Sequence, residues 1–117
     1  MQIVTSPLSY AGPVAIMMCV YNGDKPALLD RALRSILEQR YHGEKRIYLC
    51  VDGPVSDQIS RTIATHQSQI YHLTYNTTNI GLASSLNKLI ASLSDESYVF
   101  RMDADDYSLP ERFVETL

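Results

Sequence analysis

Val14-Ala15-Ile16-Met17-Met18-Cys19-Val20-Tyr21-Asn22-Gly23-Asp24 decides the fold of this chain. Seven apolar residues follow one another with no polar alternation, then four turn-forming residues stop the run. A strand with one wet face alternates apolar and polar, so an unbroken run belongs to a strand covered on both faces. Such strands sit in parallel sheets, and the flanking sequence has to supply the helices that cover them.

It does. A helix is predicted from about Pro26, with proline in its first turn and Leu29, Leu33, Ile36 and Leu37 on one face, ended by Tyr41-His42-Gly43. Arg46 to Val51 reads as a second strand, stopped by Asp52-Gly53-Pro54. A weaker helix is predicted from about Ser56 to Gln67, with Ile59, Ile63 and His66 on one side. Ile70 to Tyr75 is a third strand, Asn76 to Gly81 a polar loop, and Leu82 to Leu93 a helix with Leu82, Leu86, Leu89, Ile90 and Leu93 on one stripe. Ser97 to Met102 is a fourth strand, and Ser108-Leu109-Pro110-Glu111-Arg112 starts another helix. The Leu and Ile stripes are expected to be core; Asn87 and Lys88 are expected to face solvent. Strand and helix alternating at this spacing predict an α/β fold, a Rossmann-like mainly parallel sheet with helices on both faces. Ligands on such sheets bind beyond the carboxyl ends of the strands, near the switch in strand order. The polar clusters fall there: Asn22-Gly23-Asp24, Asp52-Gly53, Asn76 to Gly81, and Asp103, Asp105 and Asp106.

Composition narrows the classes. At 117 residues the chain fits a single domain, residues 1–117, and its 45% hydrophobic and 20% charged residues suit a globular protein. A net charge of −3 gives no polybasic footprint, which argues against a nucleic-acid partner. Met1 to Pro13 lack a basic start and an apolar centre, so no signal peptide is expected. No apolar stretch approaches the roughly 20 residues of a membrane-spanning helix. Cys19 and Cys50 sit inside apolar runs without a Cys-x-x-Cys pair and read as buried free thiols of a reducing compartment. His42, His66 and His72 lack metal-ligand spacing and read as surface or structural residues.

The fourth strand ends in Arg101-Met102-Asp103-Ala104-Asp105-Asp106. Asp-x-Asp on an extended backbone turns two carboxylates to one side, where they can share a hard divalent cation. Such a cation can hold a diphosphate. Asp106 can instead cap the next helix.

Read in order, Val14 to Asn22, Leu33-x-Ser35-Ile36-Leu37-x-Gln39, Val51-Asp52-Gly53, Asn79-Ile80-Gly81-Leu82-Ala83 with Leu86-Asn87, and Arg101 to Asp106 with Pro110-Glu111-Arg112 resemble the family 2 glycosyltransferases of GT-A fold. The resemblance spans about Val14 to Arg112. It implies inverting transfer from a nucleotide-diphosphate sugar, UDP-sugar favoured, to a glycan or lipid-linked acceptor in cell-surface or extracellular polysaccharide synthesis. It implies that Val20, Tyr21 and Asn22 line the nucleotide pocket, that Asp52 accepts a hydrogen bond from the base, and that Gly81 and Leu82 close over the nucleoside. Asp103, Ala104 and Asp105 match the Asp-x-Asp at the ribose and diphosphate. Asp103 and Asp105 would hold the metal, Mn²⁺ or Mg²⁺. It gives Arg101 no role. The general base and the acceptor half are expected beyond Leu117, so residues 1–117 are expected to be a donor-binding portion, inactive alone. The expected place of action is the cytoplasm, at the inner face of the membrane, with any peripheral membrane association through regions outside this chain.

Two departures bear on the second strand. Val51-Asp52-Gly53 carries one aspartate where the family often has two, and Pro54-Val55-Ser56-Asp57 is one residue longer than the usual continuation. Other classes fit less well. A phosphoacceptor receiver needs an acidic pair directly after strand one, where Tyr21-Asn22-Gly23 stands. A sugar-nucleotide pyrophosphorylase needs a basic Gly-rich loop at the same place. The remaining rival is a nucleotide-binding remnant or partner-docking module of the same fold without catalysis.

Overall fold

The apolar run is an interior strand of a four-stranded, wholly parallel sheet, and its alternate residues enter two different cores. The computed structural model describes residues 12–39 and 43–105. Strand β1 (Val14–Val20) lies between β2 (Lys45–Asp52) and β4 (Tyr98–Arg101), and β3 (Ile70–Asn76) lies outside β2, giving the order β3-β2-β1-β4. Helices α1 (Pro26–Leu37) and α2 (Asp57–His66) cover one face, and α3 (Leu82–Ala91) covers the other.

Val14, Ile16, Met18 and Val20 point to the first face, where they meet Leu29, Leu33 and Ile36 of α1 and Ile59 and Ile63 of α2. Ala15 and Met17 point to the second, against Tyr48, Cys50 and Leu89. Truncating one of the fully buried members, such as Ile16 or Leu33, costs ~2–5 kcal/mol. Pro26 opens α1 as its position predicts, and Ser56 caps α2, its side chain accepting from the Ile59 N–H at 3.2 Å. Lys45 Nζ donates to the Leu37 and Gln39 carbonyls at 2.8 and 3.1 Å, so a cation closes the C-terminal end of α1. His66 is buried on α2, its Nε2 2.7 Å from Asp30 Oδ1 of α1, a structural contact between the two helices.

Element boundaries differ from the sequence reading by a residue or two, with three larger differences. Helix α1 ends at Leu37; the expected stop at Tyr41-His42-Gly43 falls largely on residues 40–42, outside the described residues. The α3 stripe is not all core: Leu89 is buried and Leu86 and Leu93 are partly buried, but Leu82 and Ile90 are 46% and 51% exposed. Helix α3 packs on β1 and β2 without a second helix packed beside it among the described residues, so an apolar stripe this broad overhangs the surface beneath it. Cys50 is buried as expected, but Cys19 is only partly so, because it sits where β1 runs out of cover. The expected helix start at Ser108–Arg112 and Asp106 lie outside the described residues. Among the described residues no helix is long and apolar enough to cross a membrane.

The topology positions the site. The chain steps outward from β1 to β2 to β3, then returns past β1 to β4. The direction of winding reverses between β1 and β4, and the loops beyond those strand ends diverge and leave a crevice.

Candidate functional site

A cleft of about 440 Å³ opens at that reversal, walled by the ends of β1, β2 and β4 and by the loop after β3. Each wall follows from its local sequence.

At the end of β1, Cys19, Val20, Tyr21 and Asp24 face the cleft. The Asp24 N–H donates to the Tyr21 carbonyl at 3.1 Å, and the Tyr21 N–H donates to Asp24 Oδ2 at 3.0 Å. This closed turn holds the Asp24 carboxylate at the rim. Burial pushes the Asp24 carboxyl up from its ordinary value, Tyr21 N–H opposes this, and Asp105 and Asp103 push it further up. The Cys19 thiol is pushed up to about 12, chiefly by burial and then by Cys50, Asp52 and Asp103 against the opposing Arg101. It is therefore an inert wall residue at neutral pH.

At the end of β2, Asp52 is 6% exposed, yet it borders the cleft. Its Oδ1 accepts from Asn76 Nδ2 at 2.9 Å and from the Ile80 N–H at 2.8 Å; its Oδ2 accepts from the Gly81 N–H at 3.0 Å. Burial works against the charge, but Ile80, Asn76, Gly81 and Ser85 outweigh it and hold the carboxyl below the usual range. Asp52 thus stays ionised and pins the loop after β3. Gly53 makes the approach possible. Its φ is +86°, and a Cβ there would stand 2.9 Å from the Asn79 backbone nitrogen, so any side chain would push the loop off the strand end. Gly81 has φ +93° with open space around it, so conformation alone selects glycine where the loop turns into α3. Asn79, Gly81 and Leu82 of that loop face the cleft.

Beyond β4, exposure alternates strictly: Arg101, Asp103 and Asp105 are exposed, Met102 and Ala104 buried. The buried pair anchors the segment while the two carboxylates turn outward, although Ala104 and Asp105 lie in a turn rather than on the extended backbone expected. Arg101 Nη2 lies 3.2 Å from Asp103 Oδ1, and Arg31 of α1 donates to the Asp105 carbonyl at 3.3 Å. Among the described residues no three His, Cys, Asp or Glu side chains gather closely enough to enclose a metal by themselves. A small hard cation does not need that: Mg²⁺ is commonly held by one or two carboxylates with water and phosphate oxygens completing its shell. The donor set of outward carboxylates on the cleft wall fits such an ion.

Of the residues singled out from sequence, Val20, Tyr21, Asp52, Gly81, Leu82, Asp103, Ala104 and Asp105 meet in this one cleft. Asn22 does not; it is exposed on the turn, off the cleft wall. Tyr21 is half exposed rather than packed in the core. Sequence reasoning left out Cys19, Asp24, Asn79 and Arg101 as wall residues. Asp24 closes the turn that stops β1, and Arg101 stands two positions before Asp103 on the same alternating row, which were the available signals.

A parallel α/β domain with a carboxylate-lined cleft at its switch point is of the doubly wound class, in which ligands bind at that point. The family model for glycosyl transferase family 2 matches residues 15–117, and the chain belongs to that family. It is 34% identical over 101 residues to the amylovoran biosynthesis glycosyltransferase AmsE of Erwinia amylovora, covering 85% of this chain and 37% of AmsE. It is 35% identical over 105 residues to the putative glycosyltransferase EpsE of Bacillus subtilis, covering 87% of this chain and 36% of EpsE. The chain therefore spans little more than a third of the length of these relatives. Its fold matches S. aureus TarS 1–349 in complex with UDP, with TM-score 0.75, 18% identity, and coverage of 89% of this chain and 30% of that one. It also matches the mannosyltransferase PcManGT of Pyrobaculum calidifontis in complex with GDP-Man and Mn²⁺, with TM-score 0.71, 23% identity, and coverage of 94% and 32%. These matches establish the GT-A fold.

Proposed function

We propose that the cleft binds a nucleotide-diphosphate sugar, with UDP-sugar first, and that the chain is the donor-binding part of an inverting glycosyltransferase. The observation that carries the reading is the meeting of Asp52 with Asp103 and Asp105 around one cleft at the switch point. Asp52 is an ionised acceptor at the edge that a base would reach. A base presenting an N–H, such as uracil or guanine, suits it; one presenting a bare nitrogen there does not. Asp103 and Asp105 would hold Mn²⁺ or Mg²⁺. When bound, the cation supplies charge neutralisation to the departing diphosphate. Cys19, Val20 and Leu82 give the nucleoside an apolar wall, and the pinned loop at Gly81 covers it.

The names of the neighbours support this reading: one is in complex with UDP, the other with GDP-Man and Mn²⁺. The name of AmsE, a biosynthesis enzyme for amylovoran, supports a role in extracellular polysaccharide synthesis. The acceptor would be a glycan or lipid-linked sugar at the cytoplasmic face of the membrane. Calorimetric titration of UDP, GDP, TDP and CMP with and without Mn²⁺ tests the donor site. Metal-dependent binding of a diphosphate is the expected result. No metal-dependent signal with any diphosphate would overturn it.

A further inference from the structure

Three polar residues stand behind the cleft wall rather than on it. Asn76 ends β3 directly opposite Asp52 in the β2–β3 register and is buried, as is Ser85 of α3. Both N–H groups and the oxygen of the Asn76 side chain are engaged. Its Nδ2 donates to Asp52 Oδ1 at 2.9 Å and to Ser85 Oγ at 3.0 Å, while its Oδ1 accepts from Lys88 Nζ. A reversed amide would set its oxygen against the Asp52 carboxylate and its NH₂ against the Lys88 ammonium. Lys88 itself is exposed on α3, one turn beyond Ser85. A continuous run of hydrogen bonds therefore leads from a surface cation through a buried amide to the carboxylate that holds the Ile80 and Gly81 N–H groups.

We propose that Lys88 and Asn76 are positioning residues for nucleoside recognition: Lys88 fixes the Asn76 amide, Asn76 fixes the Asp52 carboxylate, and the carboxylate fixes both the 79–81 loop and the acceptor edge shown to the cleft. This rests on the donor-site reading above. Two observations separate it from an ordinary surface lysine. The amide it meets is buried with its oxygen and both N–H groups engaged, and one of that amide's partners, Asp52, lies on the cleft wall. Lys88 on α3 reaches Asp52 only through Asn76, and Cys19 on β1 is a titratable group that faces Asp52 from a packed strand.

The test compares the full chain with Lys88→Met, which keeps the aliphatic stem of an exposed residue, and Lys88→Arg, which keeps a cationic donor. Amide resonances of Ile80 and Gly81 are recorded without ligand, and affinities for UDP and CDP are measured with Mn²⁺. Uracil presents N3–H where cytosine presents a bare N3, so this pair reports the acceptor edge of Asp52 and not general stability. The expected result is that Lys88→Met moves both amides and weakens UDP about fivefold, the scale of one lost hydrogen bond, while CDP changes less than about twofold. Lys88→Arg restores both readouts. Unmoved Ile80 and Gly81 amides, equal weakening of UDP and CDP, or no rescue by arginine would each overturn the proposal. If the unaltered chain binds neither nucleotide, the donor reading fails separately. The ligand-free amides then decide the positioning link: moved and rescued supports it, unmoved overturns it.

Discussion

Carboxylates cluster at both ends of this sheet, and the two clusters are built on opposite terms. At the amino end, Arg46 of β2 gathers three of them. Its Nη1 reaches Asp95 and Glu96 at 2.5 and 3.0 Å, and its Nη2 and Nε face Glu44 at 3.1 and 3.0 Å, the Nε contact being an ion pair rather than an aligned hydrogen bond. The Tyr48 hydroxyl adds a 2.5 Å bond to Glu96, whose side chain is 1% exposed, and the Arg46 guanidinium lies over the Tyr71 ring at 4.7 Å. Burial opposes the Glu96 charge, but Tyr48, the Ser94 N–H and Arg46 hold its carboxyl down at about 2. At the carboxyl end, Asp24, Asp103 and Asp105 share one cleft; burial chiefly raises the Asp24 carboxyl, and Asp105 and Asp103 add to this. Arg101 pairs with Asp103. The amino-end cluster, its carboxylates tied to one arginine and one tyrosine, staples β2 to the turn before β4. The carboxyl-end one borders an open cleft able to take a cation and a phosphate. Each holds three carboxylates, so how they are engaged, more than their number, separates a structural cluster from a site.

The comparison breaks most clearly if the two ends are altered separately. Asp105→Ala should lower metal-dependent nucleotide affinity at least about 100-fold, since a direct ligand weighs no less than the groups that orient such ligands, whose loss costs about 10–100-fold. Folding stability should hold or rise slightly, because a like charge leaves the cleft. Urea unfolding and calorimetry on the same sample check both halves; a large stability loss with binding intact would mean the cluster is structural after all.

Tyr48→Phe makes the mirror-image case. It removes the hydroxyl from Glu96 while keeping the ring against Tyr71 and His72, at centroid distances of 5.5 and 5.6 Å. Unfolding free energy should fall by ~1–3 kcal/mol, with nucleotide affinity unchanged. Any loss of affinity would show that the amino-end staple reaches the cleft through β2.

The pH dependence carries the same contrast with opposite signs. Glu96 has its folded value depressed from 4.5 to about 2, so the stability it contributes is present above 4.5 and is lost as pH falls towards about 2. Asp24 is raised above 3.8, so it makes the fold less stable as pH rises through that window. Glu96→Gln should flatten the acid loss of stability and Asp24→Asn should steepen it, read from urea midpoints between pH 2 and pH 6. Matching effects from the two variants would mean that the clusters do not differ in how their carboxylates are held.

How much of this was legible in the sequence depends on the range of the interaction. β1 and β2 were readable because burial on both faces leaves an unbroken apolar run, and Asp103 and Asp105 because alternation needs only three residues. The hold of Asp52 on Ile80 and Gly81 spans 28 and 29 positions, and nothing local to Val51-Asp52-Gly53 announces it. Lys88 faces solvent as expected, but its bond to Asn76 was not legible for the same reason: the crossover from β3 to α3 brings the two together. Leu82 and Ile90 misled because periodicity reports the side of a helix that is apolar but not the width of what covers it.

Asn22 carries the smallest expected effect and tests how closely the resting cleft represents the binding one. Family resemblance places it with Val20 and Tyr21 at the nucleotide, whereas the structure leaves it exposed in the turn while Tyr21 and Asp24 occupy the wall. The turn is closed by the paired bonds between Tyr21 and Asp24, which do not involve the Asn22 side chain. Asn22→Ala should therefore change nucleotide affinity by less than about twofold, the range of an exposed substitution that touches no special feature. Asp24→Asn, one residue past Gly23, should do more, because it alters a wall carboxylate and the bond that closes the turn. A tenfold loss in Asn22→Ala would mean that the Tyr21–Asp24 turn opens on binding and brings Asn22 inward, and that the carboxyl end of β1 rearranges where the amino-end staple stays fixed.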